Sequence, residues 1–327
     1  MAIFGQPDFC KGMTYALFWS DVSHPAFFTS LDRLAETGCN WVALAVGWWQ
    51  KDAHATDIAP HPQKTPPDAQ IEALIDHIHS LGMKVLLKPF VDAWDESWRG
   101  TFEPPKYLHW FKSYETFITH YARLAQRKKV ALFSVGCENK LGPDKKQNFW
   151  REIIEVVRLH YRGPLTYAAN FNGETSYQQV RFWDLLDFVG IDAYFSVAQQ
   201  PESSAEAMAL NWKQSIAEIQ AWRQLQNIQQ PVLFTEIGIC SYKGAAMEPW
   251  AYPETVEADE QEQANYYQAF FEAFQDCSWL SGLFWWWWDN PSTGDFSMSR
   301  EEGHNRHAIS YTPQGKAAEE VIRRYFV

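Results

Sequence analysis

Short, almost continuous apolar runs alternate with longer amphipathic stretches along this chain. Eight of the runs have the length and composition typical of parallel strands that are covered on both faces. Each run is followed by a break in the apolar pattern, as expected where a strand ends and a loop begins. We therefore predict eight strands, at Gly12–Trp19, Trp41–Trp49, Lys84–Ala93, Val130–Asn139, Leu165–Phe171, Phe188–Phe195, Pro231–Gly238 and Gly282–Asp289.

Apolar residues between these strands recur at helical spacing. One stripe runs from Ile71 to Ile78 and stops before Gly82, a residue that favours the C-terminal end of a helix. A last helix is expected to begin near Pro313. Comparable stripes occupy Tyr107–Tyr121, Trp150–Val157 and Tyr267–Phe274.

Eight alternations of strand and helix in 327 residues predict an α/β protein, a single (β/α)8 or TIM barrel that spans residues 1–327. A doubly wound open sheet is the alternative architecture. Such sheets usually carry a glycine-rich turn after the first strand, and none follows Trp19. The proline-rich stretch Asp57–Asp68 falls between a strand and a helix, so we interpret it as a barrel loop rather than a domain linker.

Charge and cysteine content narrow the possible partners. The formal net charge of −12 disfavours nucleic acid and anionic membranes as partners. No apolar stretch reaches membrane-spanning length, and the N-terminus lacks a basic region followed by an apolar run. A cytoplasmic location is therefore expected, with secretion as the alternative if a leader has been removed. Five scattered cysteines form neither a zinc motif nor a disulfide framework, and we expect no metal and no organic cofactor. The oligomeric state is left open.

Two predicted strands carry a glutamate close to their carboxyl ends. Glu138 lies at the end of the fourth strand, just before Asn139, and Glu236 lies at the end of the seventh, two residues before Gly238. Catalytic side chains of TIM barrels come from the carboxyl ends of strands, and these two strands lie across the barrel mouth from each other. Glycoside hydrolysis needs such a pair, one carboxylic acid to protonate the leaving oxygen and one carboxylate to attack or to activate water. An ion pair that closes the barrel end is the structural alternative for either glutamate.

Aromatic residues lie near the same strand ends. Tyr194 ends the sixth strand, where its hydroxyl can bond to Glu236 and orient it, or serve only as a core aromatic. The 17 tryptophans include four in succession, at 285–288. By the alternation of strand side chains, about half of these four face the helices. We expect Trp286 and Trp288 to face the mouth, where an indole can stack on a sugar ring.

Polar and aromatic residues at or just after the ends of the third and fifth strands complete the candidate site. Asp92, Trp94 and Trp98 are placed to contact sugar hydroxyls and ring faces, although Asp92 can equally form a structural pair with Arg99. Asn170 can donate to a sugar hydroxyl or shape a turn. Together with the acidic charge, these residues favour a carbohydrate ligand, either oligosaccharide or polysaccharide.

Several of these segments together resemble the clan A retaining glycosidases, and among them glycoside hydrolase family 113, which is known for β-1,4-mannanase activity. Two positions depart from the expected pattern. Cys137 stands where clan A usually has an asparagine, and Phe90 stands where a histidine is expected. The resembling segments are Gly82–Pro89, Trp98–Gly100, Ser134–Glu138, Thr235–Gly238 and Phe284–Trp287.

This resemblance implies an enzyme that cleaves β-1,4-mannosidic linkages by double displacement. It implies that Glu138 is the general acid and base, that Glu236 is the nucleophile and that Tyr194 supports Glu236. Alternatives within the class are action on another β-linked glycan, or release of single sugars from a chain end. An alternative from another class is a carbohydrate-binding barrel that keeps the aromatic side chains but has lost catalysis. The presence of both glutamates argues against it. A metal-dependent hydrolase would usually carry His-x-His in the first strand, which is absent here.

Overall fold

Eight parallel strands close into a barrel in chain order, with the last strand paired to the first. The computed structural model describes residues 3–140, 144–253, 255–293 and 306–327. This closed order confirms the predicted TIM barrel. The strands are β1 (Cys10–Leu17), β2 (Trp41–Gln50), β3 (Lys84–Ala93), β4 (Leu132–Cys137), β5 (Leu165–Asn170), β6 (Val189–Asp192), β7 (Val232–Ile237) and β8 (Leu280–Trp285).

An outer layer of helices covers the barrel. Local capping helps to set their starts, since the side chains of Ser204 and Asp259 accept hydrogen bonds from the first turns of the fifth and sixth helices. Among the described residues no helix is both long and apolar enough to cross a membrane. The helices are α1 (Pro25–Ala35), α2 (Asp68–Ser80), α3 (Tyr107–Arg127), α4 (Asp144–His160), α5 (Ala205–Leu225), α6 (Glu260–Phe274) and α7 (Ala317–Phe326).

The connection between β5 and β6 departs from the eight regular strand–helix units that the pattern predicts. It contains two short 3-10 helices, Gly173–Thr175 and Trp183–Leu185, and no α-helix. Large side chains take the place of the helix in the outer layer. Tyr177 and Phe182 are buried there, and Tyr177 packs edge-on against Trp222 of α5. The connection therefore covers the barrel with aromatic side chains instead of a helical stripe.

Strands β4, β6 and β7, which end at the candidate site, are shorter than predicted and irregular at their ends. Strand pairing shifts register near the ends of β4, β6 and β7. Such irregularities locally re-aim side chains. They occur beside Glu138, Asp192 and Glu236, so they determine which side chains face the barrel mouth.

Strand β8 ends at Trp285, four residues before its predicted end. The backbone then crosses toward β1, where the Trp288 amide donates to the Thr14 carbonyl at 2.9 Å. The alternation expected for Trp286 and Trp288 therefore does not hold, because the chain beyond Trp285 is no longer a strand.

Aromatic packing joins the barrel to its helices. The fully buried Trp285 of β8 stacks on Tyr267 of α6, with ring centroids 3.8 Å apart and planes 12° from parallel. Phe270 and Phe271 of the same helix pack at an angle to the same indole. This cluster attaches α6 to the strand that leads into the barrel mouth.

Substitution of Trp285 tests this packing. We expect Trp285→Ala to lower the free energy of unfolding by about 3–5 kcal/mol, because it leaves a large cavity between β8 and α6. Urea denaturation followed by circular dichroism measures the change. Trp94→Ala is the matched control, since the Trp94 side chain is 55% exposed and its loss should change stability by less than about 0.5 kcal/mol. Equal effects of the two substitutions would contradict this packing.

Candidate active site

A cleft of about 720 Å³ opens at the carboxyl ends of the strands. This is the face on which TIM barrels carry their active sites. The cleft brings together most of the residues that the sequence singled out, from six different strands or the loops that follow them. Those that line it are Asp92, Trp98, Glu138, Asn170, Tyr194, Glu236 and Trp286.

Both carboxylate oxygens of Glu236 are bound by side chains of other strands. Lys88 Nζ, from β3, donates to Oε1 at 2.5 Å, and the Tyr194 hydroxyl donates to Oε2 at 2.6 Å. Burial raises the pKa of Tyr194 well above its usual value, and the nearby Glu236 raises it further, so the phenol stays protonated as a donor. Glu236 is therefore held in one orientation in a buried position.

Lys88 lies at the centre of a buried charge cluster. Its Nζ also contacts both oxygens of Asp192, at 3.1 and 3.3 Å, and Asp192 accepts a hydrogen bond from Thr235 at 2.7 Å. Burial by itself lowers the pKa of Lys88, but Asp192, Cys137 and Glu236 together raise it above its usual value. The cluster therefore keeps a full positive charge beside Glu236.

Glu138 occupies a different electrostatic environment. Burial raises the pKa of its carboxyl to about 8, with further contributions from Asp192 and Glu236, while Arg99 and Lys88 act in the opposite direction. Arg99 Nη1 is 3.5 Å from its carboxylate. Glu138 also has a positive φ of 49°, which is uncommon for a residue other than glycine. At neutral pH this carboxyl is predominantly protonated.

Arg99 links the third strand to the fourth. Its guanidinium donates twice to Asp92 Oδ1, at 2.7 and 2.9 Å, and once to Cys137 Sγ at 3.3 Å. It also lies 4.9 Å from the centre of the Phe90 ring. Asp92 therefore lines the cleft and pairs with Arg99, so the two readings of this residue are compatible.

The same residues include a set of potential metal ligands. Cys137, Glu138 and Asp192 bring one ligand atom each within 4.8 Å of one another. The positive charges of Lys88 and Arg99 already contact this set. A cation would have to compete with them, and Cys137 would have to lose its proton although burial raises the pKa of its thiol well above the usual value. The donor set therefore fits a metal ion poorly.

Aromatic side chains form the walls of the cleft. Trp98 is 47% exposed, as expected of a ring available for stacking. On the opposite side the loop after β7 contributes Trp250 and Tyr252. Tyr252 stacks on Tyr311, whose hydroxyl donates to the Pro249 carbonyl at 2.6 Å and so fixes the loop.

Two of the predicted sugar contacts lie outside the cleft. Trp288 is fully buried, and its indole nitrogen donates to the Ser30 carbonyl of α1 at 3.0 Å. The expectation that Trp288 faces the mouth is therefore wrong, and Trp287 lines the cleft beside Trp286 instead. Trp94 is exposed, packs edge-on against His61 and is not among the residues that line the cleft.

Sequence reasoning missed Lys88 and Asp192. A signal was present for both, because each is a charged residue within an otherwise apolar run that forms a buried strand. A buried charge requires a partner. The sequence did not indicate that Lys88 meets Asp192 and Glu236 across the barrel. Asp192 is 104 positions and Glu236 is 148 positions from Lys88 along the chain.

The fold and the site together define a class of protein. A closed parallel barrel that presents a protonated glutamate from β4 and an ion-paired glutamate from β7, between aromatic walls, has the arrangement of a glycoside hydrolase. Residues 14–311 match the family model described as Glycoside Hydrolase Family 113. The chain belongs to glycoside hydrolase family 113, and its substrate is a carbohydrate.

Solved structures agree with this family. A GH113 β-mannanase from Alicyclobacillus acidocaldarius, in complex with ManMIm, is 30% identical, with 99% of each chain covered and a TM-score of 0.83. A GH113 β-1,4-mannanase is 28% identical, over 98% of this chain and 99% of that one, also with a TM-score of 0.83. A β-glucuronidase from Ruminococcus gnavus, 15% identical over 98% of this chain and 51% of its own with a TM-score of 0.65, shares the fold. No curated protein sequence matches the chain.

The raised pKa of Glu138 gives a direct prediction. We expect its side-chain carboxyl to titrate with a midpoint near pH 8, because burial and two neighbouring carboxylates disfavour its charged form. Carbon-13 NMR of protein labelled at glutamate carboxyls measures the midpoint. Glu138→Gln identifies the signal by removing it. A midpoint near the ordinary value of 4.5 would show that the site does not hold this carboxyl protonated.

Removal of the central cation gives a second prediction. We expect Lys88→Met to lower kcat/KM by at least about 100-fold, because Glu236 loses one of the two hydrogen bonds that orient it. The variant also leaves Glu236 and Asp192 buried without a counterion, which should lower the free energy of unfolding by about 3–5 kcal/mol. The alkaline limb of the activity profile should also move to higher pH, because Lys88 lowers the pKa of Glu138.

Steady-state kinetics across pH measure both effects. A purely structural role of Lys88 would lower stability without moving that limb. The double variant Lys88→Met/Asp192→Asn removes one positive and one negative charge, so it should recover folding stability but not activity.

Proposed function

We propose that this protein hydrolyses β-1,4-linked mannan or manno-oligosaccharides with retention of anomeric configuration. The observation that carries the proposal is the contrast between two buried glutamates. Glu138 is held protonated, with a pKa raised to about 8, whereas Glu236 accepts hydrogen bonds from Lys88 and Tyr194 through both oxygens. Two carboxyl groups kept in different protonation states are the requirement for acid-assisted glycosidic cleavage.

In the first step Glu236 attacks the anomeric carbon and forms a covalent glycosyl ester. The bond from that carbon to the leaving oxygen breaks, and the leaving oxygen takes the proton of Glu138. In the second step a water oxygen attacks the same carbon while Glu138 accepts a proton from the water. The ester bond breaks, Glu236 regains its charge, and the two inversions together retain the configuration.

Lys88 and Tyr194 support this cycle through Glu236. Their hydrogen bonds fix the carboxylate and stabilise its negative charge before attack and after release. Asp192, which accepts a hydrogen bond from Thr235, in turn holds Lys88 in place. Lys88 and Tyr194 are therefore positioning residues for the nucleophile.

The remaining cleft residues are suited to hold the sugar. Asp92 and Asn170 present hydrogen-bonding groups from β3 and β5, and the indoles of Trp98 and Trp286 present aromatic surface. Mannan as the substrate is supported by family membership and by the two GH113 β-mannanase structures at 28–30% identity. Lys88 and Arg99 supply positive charge next to the carboxylates, so the chemistry requires no metal.

The stereochemical outcome tests the proposal. Time-resolved NMR of β-1,4-mannohexaose with the purified protein should show the β-anomer of the new reducing ends first, with the α-anomer appearing only through mutarotation. Initial formation of the α-anomer would mean that Glu236 activates water instead of attacking the sugar.

Azide rescue of two variants assigns the roles. Glu236→Ala should lower kcat by at least about four orders of magnitude, and added azide should yield an α-mannosyl azide. Glu138→Ala should lose about 10²–10⁴-fold on substrates with poor leaving groups, and azide should yield a β-mannosyl azide from an activated aryl mannoside. Glu320→Ala, an exposed glutamate of α7, is the matched control and should behave as wild type. Near-normal turnover of Glu236→Ala would contradict its assignment.

A further inference from the structure

The indole of Trp287 belongs to the wall of the cleft but not to the barrel sheet. Strand β8 ends at Trp285, so strand pairing no longer determines where the following side chains point. Trp287 is nevertheless only 8% exposed, and it lines the cleft. Its orientation must therefore be set by side-chain contacts.

The carboxylate of Asp289 holds the indole nitrogen of Trp287. Asp289 Oδ1 accepts a hydrogen bond from Trp287 Nε1 at 2.8 Å and another from the Thr293 hydroxyl at 3.2 Å. Its other oxygen lies 3.3 Å from Nδ1 of His307, in the short 3-10 helix Arg306–Ile309. Asp289 is 1% exposed, and a buried carboxylate is unfavourable without such partners. A hydrogen bond to a charged acceptor is also stronger than one to a neutral acceptor, so the contact can fix the indole.

The backbone around Asp289 is anchored to other parts of the barrel. The Ser30 hydroxyl of α1 donates to the Asp289 carbonyl, and the Ser30 carbonyl accepts from Trp288 Nε1 at 3.0 Å. On the other side, the Asn290 side chain donates to the carbonyl of Ala16 in β1 at 2.9 Å. The carboxylate therefore extends from a fixed segment rather than from a free loop.

The Trp287 ring continues into the aromatic wall that leads to the nucleophile. Its centroid is 5.7 Å from that of Tyr252 and 5.5 Å from that of Tyr311, with planes tilted by 57° and 44°. Tyr311 in turn meets Tyr194 edge-on at 6.3 Å, and Tyr194 donates to Glu236. A rotation of the indole would therefore disturb packing along this side of the cleft.

We propose that Asp289 is a positioning residue, which orients the Trp287 indole so that a sugar can pack against it. Asp289 itself is not among the residues that line the cleft. The inference rests on the proposed function and adds a residue that acts behind the wall. Trp287 supplies neither a proton nor a nucleophile. Loss of its orientation should therefore weaken binding of substrate and transition state alike, which raises KM and leaves kcat nearly unchanged.

The hydrogen bond itself can be measured without substrate. In nitrogen-15 NMR spectra of the tryptophan indoles, Trp287→Phe identifies the Trp287 signal by removing it. Asp289→Ala should shift this indole proton upfield and accelerate its exchange with deuterium by at least about tenfold, because the charged acceptor is gone. An unchanged position and exchange rate would refute the inference.

Steady-state kinetics on β-1,4-mannohexaose measure the consequence for the reaction. We expect Asp289→Ala to raise KM about five- to tenfold, with kcat within about twofold of wild type. Asp289→Asn retains an acceptor oxygen and should stay within about threefold of the wild-type KM. The control is Asp276→Ala, an exposed aspartate just beyond α6, which should behave as wild type. A fall in kcat at constant KM, or equal losses in the alanine and asparagine variants, would contradict the positioning role.

A double-mutant cycle separates positioning from a general effect on stability. Trp287→Phe keeps an aromatic ring but removes the N–H donor, so its KM should rise at least as much as that of Asp289→Ala. The double variant Asp289→Ala/Trp287→Phe should be no worse than Trp287→Phe alone. Independent roles would instead multiply to about 25- to 100-fold and would exclude action through the indole.

Two further outcomes remain informative. If Asp289→Ala does not fold, Trp287→Phe still decides, because a wild-type KM in that variant would overturn the inference. If the wild type cleaves no mannoside, the proposed function fails. The NMR comparison of wild type with Asp289→Asn and Asp289→Ala would still test whether Asp289 holds the indole.

Discussion

The buried cation of Lys88 is the interaction on which the site depends. A lysine in the interior of a barrel strand is unfavourable unless carboxylates neutralise it. Asp192 of β6 and Glu236 of β7 do so at distances of 2.5–3.3 Å. Strands β3, β6 and β7 must therefore close in one register for these charges to be neutralised. The same contacts that make the barrel interior acceptable also orient Glu236.

From this cluster follows the difference between the two glutamates. Glu236 shares the charge of Lys88 and receives the Tyr194 hydroxyl, whereas Glu138 lies 3.5 Å from Arg99, which also pairs with Asp92. Burial and the other carboxylates outweigh that guanidinium, so the pKa of Glu138 rises to about 8. One site thus holds an acid and a nucleophile at the same pH, through environment rather than residue type.

Around this centre the loops divide the mouth into two regions. The cleft is walled by indoles and phenols, whereas half of the residues that line a neighbouring cavity of about 1160 Å³, on the side of β4, β5 and β6, carry amides or hydroxyls. Phe171 belongs to both, and its stacking on Trp250 joins the loop after β5 to the loop after β7.

The sequence by itself determined the barrel, the order of its eight strands and the glutamates that end β4 and β7, because apolar periodicity and the ends of strands are local properties. It also indicated Tyr194, Asp92, Trp98, Asn170 and Trp286, all of which line the cleft. Only the tertiary structure decided that Trp288 packs against α1, that Trp94 lies outside the cleft and that Lys88 pairs with Asp192. These outcomes depend on register shifts at strand ends and on contacts between residues more than one hundred positions apart, which no local pattern specifies.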